Sequence, residues 1–317
     1  MNRRALITGI AGFAGSHLSE HLLEAGDHVE GTHLQEEPLD NIRHLAGKLT
    51  LHRCDIRSLA ALKDAIRDAR PDVVYHLAAL SSVTHAEQHP RAVLETNFGG
   101  TRFLLQAMQQ AAPRCTLVYV SSSEVYGKVK PEQNPVQESR PEAPVHFYGF
   151  TKLLAEKLVI HHTRLHGTQG IVLRPFNHIG PRQSDRFVCA GFARQVARIE
   201  KKEQKPVISV GTLKAARDFT DVRDMVRAYR LAAEHCRVGG TYNLASGTGV
   251  TIREVLRLIL AFSKQKIRVK KKASLVRKVE IPLITGNADR FRKTAPWDPA
   301  YQLEQTLWDT FRYWMEH

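Results

Sequence analysis

Three glycines, Gly9, Gly12 and Gly15, lie in the stretch GIAGFAG, between a short apolar run, RRALITG (3–9), and a helical pattern, SHLSEHLLEAG (16–26). No other feature restricts the fold of this chain as tightly. A strand that turns at once into a helix needs residues that accept tight backbone angles and close neighbours. The helical stretch puts Leu18, Leu22 and Leu23 on one face and ends at Gly26. HVEGTHL (28–34) then reads as a second strand, so the turn sits inside a βαβ unit. In that setting the turn suits a dinucleotide, whose pyrophosphate rests on the amides of a helix N-terminus. A plain glycine turn is the alternative, and the βαβ frame weighs against it.

The pattern continues in the same alternation. Helices are expected at 58–69, 100–111 and 151–167, and strands at 72–78, 116–122 and 170–176. Such alternation predicts an α/β fold, a doubly wound parallel sheet covered on both faces. Past Pro175 the periodicity loosens, and FVCAGFARQVARIEK (187–201) with later short strands points to a smaller α/β lobe that binds substrate. The expected division is a dinucleotide-binding domain at 1–173 and a mainly substrate-binding lobe at 174–317. The stretch 215–245, which holds the helical TDVRDMVRAYRLAAEH (220–235), is expected to pack back on the first domain.

The chain has 317 residues, enough for one large α/β domain with an attached lobe. No apolar run approaches the ~20 residues of a membrane span, and MNRRALITGIAG does not read as a signal peptide. Membrane partners are therefore not expected. The four cysteines, Cys54, Cys115, Cys189 and Cys236, show no paired spacing, so reduced thiols, a cytoplasmic location and no metal site are expected. Neither His161, His162 and His166 nor His85 and His89 are joined by a ligand pattern. The net charge of +14 is densest in KQKIRVKKK (264–272), which alternates as an edge strand protected by lysines would. Nucleic acid is not expected as a partner.

At the adenosine end, the second strand closes near His33, where a carboxylate would favour NAD. Its absence tilts slightly toward NADP(H) over NAD(H), although Glu36 and Glu37 follow and no arginine stands beside His33. Asp55 and Ile56 fall at the end of the third strand, suited to the adenine edge; capping of the next helix is the other reading of Asp55.

SSSEVYG (121–127) and YGFTK (148–152) carry the chemistry. Tyr148 and Lys152 are four residues apart and share a helix face. A nearby ammonium favours the phenolate of a tyrosine and tunes it for proton transfer. Ser122 ends a strand at the carboxyl edge of the sheet, where its hydroxyl can bond the same substrate oxygen.

GIAGFAG, HLAA (76–79), Asn97, SSSEVYG and YGFTK together resemble the extended short-chain dehydrogenases/reductases that act on nucleotide sugars. RPFNHIGPRQS (174–184), VGTLKAARDFTDVRD (210–224) and RKVEIPLITG (277–286) are similar to GDP-6-deoxy-4-keto-D-mannose reductases, which form GDP-D-rhamnose. The resemblance implies Ser122, Tyr148 and Lys152 as catalytic, with Glu124 beside them. It implies Gly9, Gly12, Phe13, Gly15, His33, Asp55, Ile56, Leu77, Ala78, Ala79, Asn97, Tyr148 and Lys152 at the cofactor. It implies Ser82, Ser123, Asn177, Val188, Arg217, Arg277 and Glu280 at a GDP-sugar, Arg217 clamping the diphosphate and Glu280 accepting from ribose hydroxyls. A homodimer through a helix bundle is implied by the resemblance alone.

Glu124 keeps a second chemistry open. In the dehydratases of this superfamily the residue at its place takes a proton from C5 of the 4-keto sugar. Those enzymes resemble this chain less at Ser122, at THLQEE (32–37) and at FNHIGPRQS (176–184). A 4-keto reductase is therefore the leading expectation, with a 4,6-dehydratase, a 4-epimerase and a non-catalytic NAD(P) sensor behind it. An intact Ser–Tyr–Lys set weighs against the sensor.

Overall fold

The computed structural model describes residues 2–275 and 281–317. β1 (Arg4–Thr8), α1 (Phe13–Glu24), β2 (His28–His33), β3 (Thr50–Arg53), α2 (Leu59–Ala69) and β4 (Val73–His76) form the first half of a doubly wound unit. α3 (Val83–Gln88) and α4 (Pro90–Leu94) lead through a π-helical turn, Glu95–Gly99, into α5 (Gly100–Ala111). β5 (Thr116–Val120), α6 (Phe147–His166) and β6 (Gln169–Pro175) follow. The remainder comprises β7 (Asn177–Ile179), α7 (Val188–Glu200), β8 (Val207–Val210), β9 (Ala216–Asp221), α8 (Val222–His235), β10 (Thr241–Leu244) and β11 (Gly249–Thr251). α9 (Ile252–Leu260), β12 (Arg268–Lys271), β13 (Leu283–Ile284), α10 (Asp289–Arg292) and α11 (Leu303–Glu316) complete it.

Seven strands run in the order β10-β6-β5-β4-β1-β2-β3, every neighbouring pair parallel. Successive strand side chains face opposite layers. Ile7 of β1 joins Leu18 and Leu22 of α1 and Met225, Tyr229 and Ala232 of α8. Its neighbour Leu6 joins Leu62 and Ile66 of α2, Leu104 and Met108 of α5 and Val159 of α6. The strand order reverses between β1 and β4, which opens a crevice at their carboxyl ends, the usual ligand site of such sheets. The chain is thus a Rossmann-type α/β protein.

A second lobe packs α7, α9 and α11 around Phe192, Val196, Val255, Ile259, Leu307 and Phe311. Its strands are β9 with β7, β11 and β13, and β8 with β12. β12 is an edge strand whose four residues all face solvent. α8 and β10, although late in the chain, belong to the first unit. Among the described residues, no helix is long and apolar enough to cross a membrane.

Two helices start earlier than the sequence expectation. α1 begins at Phe13, because the glycine turn itself enters the helix. α6 begins at Phe147 and not near 151, which puts Tyr148 inside its first turn. The sequence pattern does not mark α3, α4, α9 or α11.

Candidate active site

The glycine turn lies at the β1 edge of the crevice. Gly9 has φ +72°, and a Cβ on Gly15 would stand 2.3 Å from the Gly9 carbonyl oxygen, so the turn closes only with glycine there. No side chain caps α1 at Gly12. Its first-turn amides are open to an anion, which fits a dinucleotide pyrophosphate. Ala78 packs against Gly9, bringing the HLAA stretch to the turn. At the end of β2 the His33 ring lies against the Leu34 carbonyl, and Glu37 folds back to accept from the Leu34 amide at 3.1 Å. A carboxylate therefore stands at this end after all, supplied by the loop.

Asp55 does not cap α2; Ser58 does, accepting from the Ala61 amide. The Asp55 carboxylate takes the Arg57 guanidinium at 2.6 Å, and those bonds hold its pKa below the usual carboxylate range. Ile56 is buried and packs on Gly100, so its side chain belongs to the core.

A buried polar chain crosses beneath the crevice. The Ala78 amide donates to Thr8 Oγ1, which lies 2.7 Å from His76 Nδ1. His76 Nε2 lies 3.0 Å from Thr101 Oγ1, and Thr101 donates to the Asn97 carbonyl at 2.6 Å. Thr101 has spent its proton, so His76 carries its own on Nε2 and accepts from Thr8 on Nδ1. Burial, with Lys152 adding to it, pulls the His76 pKa down to about 3, so the ring stays neutral. Asn97, expected at the cofactor, is buried in the π-helical turn. Its amide accepts from Leu80 N at 2.9 Å and donates to Leu80 O and to Thr151 Oγ1. Thr151 donates to the Tyr148 carbonyl at 2.8 Å. Asn97 therefore braces the loop after β4 against the helix that bears the tyrosine.

β5 delivers Ser122, whose hydroxyl accepts from the Glu124 amide at 3.2 Å and caps the 3₁₀ turn Ser123–Tyr126. Burial raises the Tyr148 pKa well above that of a free phenol; Ser122 opposes the rise and Glu124 adds to it. The phenol keeps its proton at neutral pH. One helical turn on, Lys152 is buried with Nζ 4.4 Å from the Tyr119 ring centre. Burial pulls its pKa down to about 7, against the opposing charge of Glu156. Gly149 permits this arrangement: a Cβ there would meet the Glu124 carbonyl oxygen at 2.6 Å. Among the described residues, Glu124 Oε2 is buried without a hydrogen-bond partner.

Glu156 and Arg174, which the sequence reading passes over, support Lys152 from behind. Glu156 is fully buried, accepts from Ser121 Oγ at 2.8 Å and pairs with the buried Arg174. Arg174 also donates to Tyr126, which donates to Asn243. The available signal is spacing: Glu156 follows Lys152 by four residues, as Lys152 follows Tyr148.

The expected substrate residues come from both units. Ser82 caps α3, and Ser123 is buried. Asn177 is exposed on β7 opposite Phe219 of β9, two residues from Arg217. Arg217 is 8% exposed and donates to the Ala216 and Ile281 carbonyls. Val188 opens α7 and is exposed. Arg277 and Glu280 lie outside the described residues.

A Rossmann-type sheet, an open glycine turn and a Ser–Tyr–Lys set just past β5 and at the start of α6 define an extended short-chain dehydrogenase/reductase. The family model described as GDP-mannose 4,6 dehydratase matches residues 6–310, and the chain belongs to that family. It is 34% identical over 307 residues to GDP-6-deoxy-D-mannose reductase of Pseudomonas aeruginosa, covering 97% of this chain and 95% of that one. It is 29% identical over 330 residues to GDP-mannose 4,6 dehydratase 2 of Caenorhabditis elegans, covering 93% and 84%. Among solved structures, RMD from Pseudomonas aeruginosa complexed with NADPH superposes with a TM-score of 0.87 at 32% identity, covering 99% of each chain. Thermus thermophilus UDP-glucose 4-epimerase in complex with NAD gives 0.87 at 27% identity, covering 98% of each.

Proposed function

We propose that this chain reduces the C4 ketone of a GDP-4-keto-6-deoxyhexose to the alcohol, yielding a GDP-6-deoxyhexose, GDP-D-rhamnose. The observation that carries this reading is the 34% identity to the Pseudomonas reductase across 97% of the chain. The Ser122–Tyr148–Lys152 arrangement supports it. A reduced nicotinamide dinucleotide, bound on the glycine turn, supplies the hydride. Tyr148 gives its phenolic proton to the ketone oxygen as that oxygen gains charge. Ser122 hydrogen-bonds the same oxygen and fixes its direction. The Lys152 ammonium stabilises the phenolate left behind, which then regains a proton from solvent. Arg217 and Asn177 hold the diphosphate and the sugar; their shared sheet supports that assignment.

NADPH is favoured over NADH by a small margin. The Pseudomonas structure is complexed with NADPH, and β2 ends in His33 and not in a carboxylate. Glu37, folded onto Leu34, limits the margin by repelling a 2′-phosphate. A homodimer forms through a helix bundle that includes α6, a reading supported by the exposed Phe150 and Leu165 on that helix. The enzyme works in the cytoplasm, which the free thiols favour.

A second reading, dehydration of GDP-mannose, is favoured by one observation, the unpartnered buried oxygen of Glu124 beside Tyr148. Mass spectrometry separates the two. Purified protein with GDP-4-keto-6-deoxymannose and NADPH should add two hydrogens. Protein with GDP-mannose and NADP⁺ should leave the sugar unchanged. Loss of water in the second reaction with no gain in the first would replace the reductase by a dehydratase.

A further inference from the structure

Arg182 lies in the loop between β7 and α7 with φ +70°, a left-handed backbone that disfavours a bulky residue. Arg70 and Lys202 also have positive φ, but each lies within two residues of a helix end. Arg182 closes no helix. Its guanidinium crosses to the dinucleotide unit instead.

It donates to the Asn41 carbonyl at 3.1 Å, to His17 Nδ1 at 2.8 Å and to Glu20 Oε2 at 2.6 Å. Asn41 in turn donates to the carbonyl of Ala11, inside the glycine turn, at 2.9 Å. His17, on α1, donates from Nε2 to the Pro181 carbonyl at 3.0 Å. Burial and the Arg182 charge pull the His17 pKa down to about 4, so this geometry does not change near neutrality. A third link is aromatic: Phe13 of the glycine turn stacks on His178 of β7, centres 5.7 Å apart. Gln183 donates to the His178 carbonyl and closes the loop on itself. The bracketed loop runs from Asn177 to Val188, both expected at the nucleotide sugar.

We infer that Arg182 is a positioning residue that couples the two ligands, so that a dinucleotide seated on the glycine turn sets the loop that receives the nucleotide sugar. Coupling of this kind is reciprocal, so the sugar nucleotide tightens the dinucleotide by the same factor. The inference rests on the reading that a GDP-sugar binds beside Asn177 and Val188.

The test is calorimetric, with GDP and NADP⁺ as probes. Each is titrated into the free protein and into protein saturated with the other. Wild type should show roughly five-fold or greater tightening in both directions, the lower end of the common range. Arg182→Gly removes the guanidinium and relieves the backbone, so folding is not the weak point. In it the factor should fall toward one, with each single-ligand affinity kept within about threefold. Arg182→Lys, which keeps a charge but not three directed donors, should fall between. A wild-type factor near one, or full coupling in Arg182→Gly, overturns the inference. So does equal loss of both single affinities with the factor intact, which would make the role merely structural. No GDP binding at all overturns the GDP-sugar reading and the coupling together.

Discussion

Replacing Glu156 with glutamine tests how the catalytic lysine is held. Glu156 and Arg174 are both buried, and Glu156 also accepts from Ser121. Breaking a buried pair costs about 3–5 kcal/mol. Glu142 and Tyr126 remain on Arg174, so this range is a ceiling. The effect on Lys152 is separate. At a spacing of four helical residues, two charges ~6 Å apart interact by about 3 kcal/mol at an effective dielectric constant of ~20. That is at most about two pH units. Lys152 has a pKa of about 7, below its free value of 10.5, because burial disfavours the cation. Its burial therefore costs stability below pH 7, where folded and unfolded chains both carry the proton. The cost recedes as pH rises from about 7 to 10.5, where only the unfolded chain keeps it. Removing Glu156 moves the lower edge of that window to more acid pH. The assay is a pH profile of kcat/KM for reduction in wild type and variant, with urea unfolding at pH 6 and pH 8. In the variant the basic limb, which reports loss of the Lys152 proton, should shift down by about one to two pH units. An unmoved limb with stability changed by less than about 1 kcal/mol would refute the view that Glu156 holds this lysine.

Tyr148→Phe should lower turnover by about two to four powers of ten, with ligand affinities retained, as measured by steady-state rates and titration; near-normal turnover would remove the proton-donor role. Glu124→Gln should retain substantial reduction of the keto sugar, because hydride addition takes no proton from carbon; efficient wild-type dehydration abolished in this variant would make Glu124 the central base. Gly149→Ala should destabilise the protein by about 1–3 kcal/mol in urea unfolding and depress turnover, since the added Cβ meets Glu124 O at 2.6 Å. Helix propensity alone predicts the opposite sign, about 1 kcal/mol of stabilisation, so a more stable variant would show that the contact is not tight.

The sequence by itself determined the doubly wound sheet, the glycine turn and the Ser–Tyr–Lys set. Each is written locally: strands and helices in their periodicities, the turn in Gly9, Gly12 and Gly15, the lysine one helical turn after the tyrosine. Tertiary structure alone decided what surrounds them. Asn97 comes to lie between Leu80 and Thr151, and Arg174 against Glu156, because a buried polar group takes whichever partner the packed layers bring within reach. Glu37 returns a carboxylate to the end of β2 through a loop whose path no periodicity encodes. Arg182 reaches back across more than a hundred residues to α1, an ion pair that spacing along the chain does not announce. Local pattern sets backbone geometry through steric and hydrogen-bond preferences of neighbouring residues. Electrostatic environment depends on what arrives from elsewhere in the chain, and here that environment sets the protonation of Tyr148, Lys152 and His76.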